Sequence, residues 1–316
     1  MSDFSPTRRQ TLAALGTALA AAAALPVQAA AQAAAPEATP AFSFCLNTST
    51  IRGQQLGFRK ELEIASKAGY NGVEIWIDPL QKYVSAGSST GEVRRMLADL
   101  NLKVEDAIGF AQWIVDDEAV RSKALDQLKR EMELLAEIGC KRVAAPAMGA
   151  TQGTALELKK IADRYRTILD LGEQTGVMPQ LELWGFSKNL SRLSEVMYIA
   201  VESGHPGARL LLDVYHLYKG GSDLRTLPLV GKPAIEVFHM NDYPTAPPRE
   251  TIGDADRVFP GDGTAPIASI LNTLRTPGKQ IVLSLELFNK TYYAQDALQV
   301  AKTGLAKMKA LASVKS

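Results

Sequence analysis

Leu210-Leu211-Leu212-Asp213-Val214 is a short apolar run with one carboxylate near its end, and the chain repeats that design. Gln180-Leu181-Glu182-Leu183-Trp184 comes before it. Val237-Phe238-His239-Met240-Asn241-Asp242 and Leu283-Ser284-Leu285-Glu286-Leu287 come after it. Each places one ionisable side chain near the C-terminal end of an apolar run. A parallel strand is buried on both faces, so such a group is costly inside it and calls for a function.

The same β-type composition recurs outward from these four runs. It predicts eight strands: Phe42–Leu46, Gly72–Ile77, Lys103–Ile108, Arg142–Ala145, Met178–Leu183, Arg209–Val214, Ile235–Met240 and Ile281–Leu287. Their spacing is near the ~30 residues that eight βα units in ~250 residues require. Helical periodicity fills the gaps: Leu125, Leu128, Met132, Leu135 and Ile138 recur at three- and four-residue steps, as do Leu298, Leu305, Met308 and Ala312. Gly69, Gly139, Gly176 and Gly204 read as helix stops, and Pro79, Pro146 and Pro244 as loops after strands. The order predicts a parallel α/β sheet, and eight units predict a single closed (β/α)8 TIM barrel over residues 41–316. A doubly wound open sheet is the alternative, but the first βα turn has no G-x-G-x-x-G.

Residues 1–40 stand apart. Arg8 and Arg9 lie in Ser5-Pro6-Thr7-Arg8-Arg9-Gln10-Thr11-Leu12, followed by an uncharged, weakly apolar stretch. The apolar part is short of the ~20 residues a membrane span needs. The segment resembles a twin-arginine export signal followed by an Ala/Gln/Pro linker, so the expected destination is the periplasm. An ordinary secretory signal is the alternative.

Lys+Arg is 35 and Asp+Glu is 34 in 316 residues, giving a net charge of +1. That excludes binding to nucleic acid or an anionic membrane by bulk charge. Hydrophobic residues make up 46% and charged residues 22%, a globular balance. Two cysteines, Cys45 and Cys140, make no disulfide framework, though they could pair in an oxidising compartment. Three histidines exclude a multi-histidine metal cluster.

Barrel active sites sit at the C-terminal ends of the strands. Four successive strands would bring Glu182, Asp213, His239 and Glu286 to one arc of that mouth. Three carboxylates packed together repel, and a divalent cation removes the cost. Three carboxylates and one imidazole suit manganese first, with magnesium, cobalt, zinc or iron also accommodated. Separate salt-bridged residues are the plainer reading, but four at matching positions argue against it. His216, three residues after Asp213, could donate to a substrate hydroxyl or oxyanion. His205 reads as structural. Glu74 ends the second strand, either lining the pocket or supporting it from behind. Trp76, Trp113 and Trp184 follow strands and could wall a pocket for the apolar faces of a sugar or cyclitol, or pack in the core. The long loop Tyr243 to Pro266 holds Arg257 and Gly261-Asp262-Gly263; those glycines make a tight turn or, less simply, a phosphate cradle.

These residues resemble a known family. Glu182 in Leu-Glu-Leu, Asp213-x-x-His216, Phe238-His239-x-Asn241-Asp242, Asp256-Arg257-Val-Phe-Pro-Gly261-Asp-Gly263 and Leu285-Glu286-Leu-Phe are similar to motifs of the sugar phosphate isomerase/epimerase superfamily, with its xylose isomerase-like barrel. The 2-keto-myo-inositol isomerase type is the nearest. The resemblance implies that Glu182, Asp213, His239 and Glu286 are the metal ligands. It makes Glu182 and Glu286 the acid/base pair and sets His216 and Arg257 against substrate oxygens. It implies isomerisation or epimerisation of a sugar, keto-sugar or cyclitol through an enediolate. A lyase acting on a keto-glycoside or keto-cyclitol, or an exported non-catalytic sugar-binding protein, are the alternatives. Endonuclease IV shares the barrel but uses many more histidines, which argues against DNA repair. The expected partner is a small polyol, with no nucleic acid and no membrane after signal removal; homo-oligomerisation stays open.

Overall fold

A computed structural model describes residues 40–314. The expected export segment and linker lie outside the described residues, apart from Pro40. The strands are β1 (Phe42–Asn47), β2 (Gly72–Trp76), β3 (Lys103–Ile108), β4 (Arg142–Ala145), β5 (Met178–Glu182), β6 (Arg209–Asp213), β7 (Ile235–Met240) and β8 (Ile281–Leu285). They form one sheet in the order β3-β2-β1-β8-β7-β6-β5-β4, and every ladder is parallel. With helices between the strands, this is a nearly closed TIM barrel. The ends of the order, β3 and β4, are joined by a side chain: Arg142 Nη1 donates to the Glu105 carbonyl at 2.8 Å.

The strands are apolar on both faces because each face is covered. Cys45, Ile108, Ala144, Leu211, Val237 and Val282 fill the barrel interior, while a larger core lies between strands and helices. The helix Glu118–Glu137 buries Leu128, Met132 and Leu135, and Leu158–Thr175 buries Ile161, Tyr165, Ile168 and Leu169. Each such side chain contributes ~1.5–3 kcal/mol on burial. Asp117 caps the first of these helices by accepting from the Val120 N–H at 3.0 Å. Gly176 ends the second at φ 76°, a left-handed conformation that glycine adopts without strain.

Cys45 and Cys140 are both free and buried, so the disulfide held open by the sequence is not formed. The Cys140 thiol instead donates to the Arg142 carbonyl. Among the described residues, no helix is long and apolar enough to cross a membrane.

Register sets the functional level. Asp213 on β6 pairs with His239 on β7, and His239 pairs with Ser284 on β8. On the other side, Asn47 on β1 pairs with Glu74 on β2, which pairs with Asp106 on β3. Glu182 is the last residue of β5, and Glu286 lies one residue beyond β8. A ring of polar groups therefore closes the C-terminal end of an otherwise apolar barrel.

Candidate active site

His239 is the hub. Its ring is fully buried, and four carboxylates surround the two nitrogens. Nε2 is 2.8 Å from Glu74 Oε1. Nδ1 is 3.3 Å from Glu286 Oε2, 3.9 Å from Asp213 Oδ2 and 4.0 Å from Glu182 Oε1. Burial alone would lower the imidazole pKa, but the charges of Glu286 and Glu74 raise it well above the ordinary value. Nδ1 itself has no hydrogen-bond partner. With its Nε2–H held by a carboxylate, this ring would on losing its second proton turn an Nδ1 lone pair toward the opposite side, as metal-ligating imidazoles do.

Each carboxylate is fixed by its own strand end. Asp213 closes β6 and caps the short helix Val214–Lys219: its Oδ1 accepts from the His216 N–H at 2.6 Å. This cap explains the Asp-x-x-His spacing, since it sets His216 one turn above Asp213. Asp213 Oδ2 accepts from Asn241 Nδ2 at 2.8 Å and from Arg257 Nη1 at 3.2 Å. Glu286 accepts from Arg257 Nη1 at 2.7 Å and from Asn47 Nδ2 at 3.2 Å. Burial opposes its ionisation, yet the charges of His239 and Arg257 hold its carboxyl well below the usual range. Burial pushes the Glu182 carboxyl well above that range, and its Oε2 is unpartnered.

Arg257 reaches this cluster from the loop after β7. Asp242 fastens that loop: Oδ2 accepts from the Gly261 and Gly263 N–H groups at 3.0 Å each, and Oδ1 from Ala265 N–H at 2.9 Å. A Cβ at Gly263 would stand 2.3 Å from the Tyr243 carbonyl, so the turn requires glycine. The glycine N–H groups thus bind a carboxylate of the chain itself, which is the tight-turn reading rather than the phosphate cradle. The guanidinium lies over the Tyr215 ring at 4.4 Å and is 1% exposed. Its Nη2 meets His216 Nε2 at 2.9 Å. Because arginine only donates, His216 accepts there and carries its proton on Nδ1, which has no partner. Burial and then the Arg257 charge hold this imidazole well below its ordinary pKa, so it is neutral.

Above the cluster is a cavity of about 190 Å³, bordered by Glu182, His216, Asp254, Arg257 and Glu286 and by the rings of Trp76 and Trp184. Two expectations need correction. Trp113 does not wall this cavity: it is 1% exposed, donates from Nε1 to the Pro146 carbonyl at 2.9 Å and packs on Tyr165. The chain after β3 turns this indole toward the helix layer. Glu74 does not line the cavity either. It sits beneath His239, accepting from His239, from Asn47 Nδ2 at 2.9 Å and from Ser284 Oγ at 2.6 Å.

Sequence reasoning assigned no role to Asn47, Asn241, Phe110, Phe186 or Phe288. Asn241 stood inside the Phe-His-x-Asn-Asp motif, one of the few signals that could have found it. Its Oδ1 accepts from Tyr215 N–H at 2.9 Å while its Nδ2 holds Asp213.

The residues present fit a divalent cation. Four carboxyls crowd one guanidinium and one imidazole in a buried site, and Glu182 Oε2 and His239 Nδ1 are left there without hydrogen-bond partners. Among the described residues, Asp213, His239 and Glu286 offer ligand atoms all within 4.8 Å of one another, with Glu182 at the margin of that group.

Comparison with known proteins gives the lineage. Residues 62–311 match the family model described as xylose isomerase-like TIM barrel. The chain is 27% identical to the inosose isomerase of Bacillus velezensis over 276 residues, 85% of this chain and 96% of that protein. It is 28% identical to the 3-dehydroshikimate dehydratase of Pseudomonas putida over 260 residues, 79% of this chain but 39% of that protein. A solved structure described as IOLI protein with a binding zinc atom superposes with a TM-score of 0.78 at 24% identity, covering 86% of this chain and 98% of that one. The chain therefore belongs to the xylose isomerase-like TIM barrel family.

Proposed function

We propose that this protein is a divalent-metal-dependent enzyme that isomerises or epimerises a sugar, keto-sugar or cyclitol. The observation that carries the reading is the unpartnered Nδ1 of His239 amid the carboxylates of Glu182, Asp213 and Glu286. The relatedness to an inosose isomerase over most of both chains supports the substrate class.

Asp213, His239, Glu286 and Glu182 would hold the cation, manganese suiting a mostly oxygen set with one imidazole. When bound, it supplies Lewis acidity toward a carbonyl and the adjacent hydroxyl of the substrate. The chain's own groups do the proton work. One glutamate takes the proton from the carbon beside the carbonyl; the C–H electron pair becomes the C=C bond of an enediolate as the carbonyl π pair moves onto its oxygen. Glu182, with a free Oε2, and Glu286 both border the cavity and serve as this acid/base pair. Return of a proton to the opposite face gives the epimer; delivery to the neighbouring carbon gives the isomer. The His216 Nδ1–H donates to a substrate oxygen, and Arg257 keeps that tautomer in place through Nε2.

A second reading is favoured by the similarity to a 3-dehydroshikimate dehydratase. If the substrate carries a leaving group β to the deprotonated carbon, the same proton abstraction expels it, and the enzyme is a lyase. We further propose that residues 1–40 direct export to the periplasm before removal.

Incubation of the manganese-supplemented protein with keto-inositols and ketohexoses in deuterated water tests the chemistry. Solvent deuterium should appear on the carbon beside the carbonyl. Glu182→Gln and Glu286→Gln should lose turnover by at least ~10²-fold, the lower range for positioned acid–base catalysis. Wild-type turnover in both variants would remove the two-carboxylate mechanism.

A further inference from the structure

The cavity is divided by chemistry. The polar groups come from the β5–β8 arc and the loop after β7. The rest of the lining is a continuous band of five rings, Phe288, Trp76, Phe110, Trp184 and Phe186, whose two ends meet the polar groups: the Arg257 guanidinium lies over Phe288 at 5.1 Å, and the His216 ring is 5.8 Å from Phe186. Successive ring centroids are 6.3, 5.2, 6.3 and 5.3 Å apart. The first four are half-buried, keeping part of their surface accessible, and Phe186 is 41% exposed. An aromatic side chain left open at the end of such a band lengthens the wall from the cavity into solvent.

The band has little hydrogen-bonding capacity to spare. The Trp76 indole N–H is committed to Asn47 Oδ1 at 3.1 Å, which leaves the Trp184 indole N–H as its remaining donor. The phenylalanines have nothing to donate or accept. A free cyclitol or hexose carries hydroxyls around its whole rim. Its apolar face can rest on a ring, but with one edge at the acid cluster most hydroxyls of its far edge would give up water against this wall without a replacement partner, which is unfavourable. A flat apolar group loses nothing there and gains offset or edge contacts with the rings.

We propose that the substrate is a polyol joined to a planar apolar group, an aryl glycoside type of molecule. Its polyol end meets the acid cluster, and its aryl end lies along the Phe110–Trp184–Phe186 part of the band toward solvent. This inference rests on the function proposed above for the polyol end and names what that reading leaves open, the other end of the substrate. Phe186 is the specificity-determining residue at the outer edge. It stacks on Trp184 at an interplanar angle of 28°, presenting a face parallel to its neighbour.

Calorimetric titration of the manganese-supplemented protein with phenyl and methyl β-glucoside, a pair differing only in the aglycone, tests it without needing turnover. The phenyl glycoside should bind about tenfold tighter or more, as one to two aromatic contacts imply. Phe186→Ala, a change at an exposed side chain, should remove several-fold of that advantage, weakening the phenyl glycoside more than the methyl. Phe110→Ala should act in the same direction. Equal binding of the two glycosides, no measurable binding of the phenyl glycoside, or an advantage that survives both substitutions together overturns the proposal. Failure of the underlying enzymatic reading has a different signature: no deuterium exchange into any keto-polyol, with or without an aryl group, whatever the binding ratio.

Discussion

Glu74 provides a sharp test of how this site is held. It accepts three hydrogen bonds at 0% exposure: from His239 Nε2 at 2.8 Å, Asn47 Nδ2 at 2.9 Å and Ser284 Oγ at 2.6 Å. Glu74→Ala strands three buried donors. At ~1–3 kcal/mol for each, less some relief of repulsion with Asp106, the loss of stability is ~3–6 kcal/mol. Glu74→Gln is gentler. If its carbonyl faces His239, its amide nitrogen faces the Asn47 amide, so one bond is lost while the imidazole keeps an acceptor. That acceptor is neutral and no longer supports the basicity of Nδ1. Manganese affinity should therefore fall ~10–100-fold in Glu74→Gln, the range for loss of a carboxylate behind a metal-ligating histidine. Calorimetric titration with manganese gives the affinity, and melting with and without the ion gives the stability. A purely structural role would lower Tm in both variants and leave Kd untouched. A wild-type Kd in Glu74→Gln refutes the reasoning.

Glu61, buried in the helix Phe58–Ala68, gives a pH signature far from the chemistry. Burial raises its carboxyl to about 7, with Arg52 opposing. A raised carboxyl favours the folded state fully below its unfolded value of 4.5, and that contribution is lost as pH rises through about 7. Glu61→Gln should thus gain on wild type by ~2–3 kcal/mol between about pH 5 and about pH 8, read from denaturant melts; a constant difference would contradict the assignment. For export, changing Arg8 and Arg9 to lysine should hold the precursor in the cytoplasm of a host with a twin-arginine system. Normal delivery of that variant would point to the general secretory route.

The barrel was legible because its strands are apolar on both faces, and a lone acid in Leu211-Leu212-Asp213 stands out against that background. The predicted strands ran one or two residues long at β2, β5, β6 and β8. The strands end at or next to the functional side chains, the Glu286 N–H still donating to the Met240 carbonyl at 3.1 Å, while the apolar pattern continues into Leu183, Val214 and Leu287. That Glu182, Asp213, His239 and Glu286 would gather at one arc of the mouth was readable from position alone. The groups that hold them were not. Asn47 ends β1 with nothing in its neighbourhood to mark it, and it reaches Glu74 and Glu286 only because β1 sits between β2 and β8. Trp76, Trp113 and Trp184 looked alike in sequence, each an indole at or beyond the end of a strand. The direction of the chain after each strand separates them, turning Trp113 to the helix layer. Phe110, Phe186 and Phe288 lie in loops, where no periodicity shows that their rings will meet.

Metal content tests the central claim most directly. Elemental analysis of the wild-type protein, reconstituted with manganese and freed of excess ion, should give close to one divalent ion per chain. Asp213→Asn and His239→Ala should each lose most of it while remaining folded by circular dichroism. Full occupancy in both variants, or no retained metal in the folded wild type, would contradict the site.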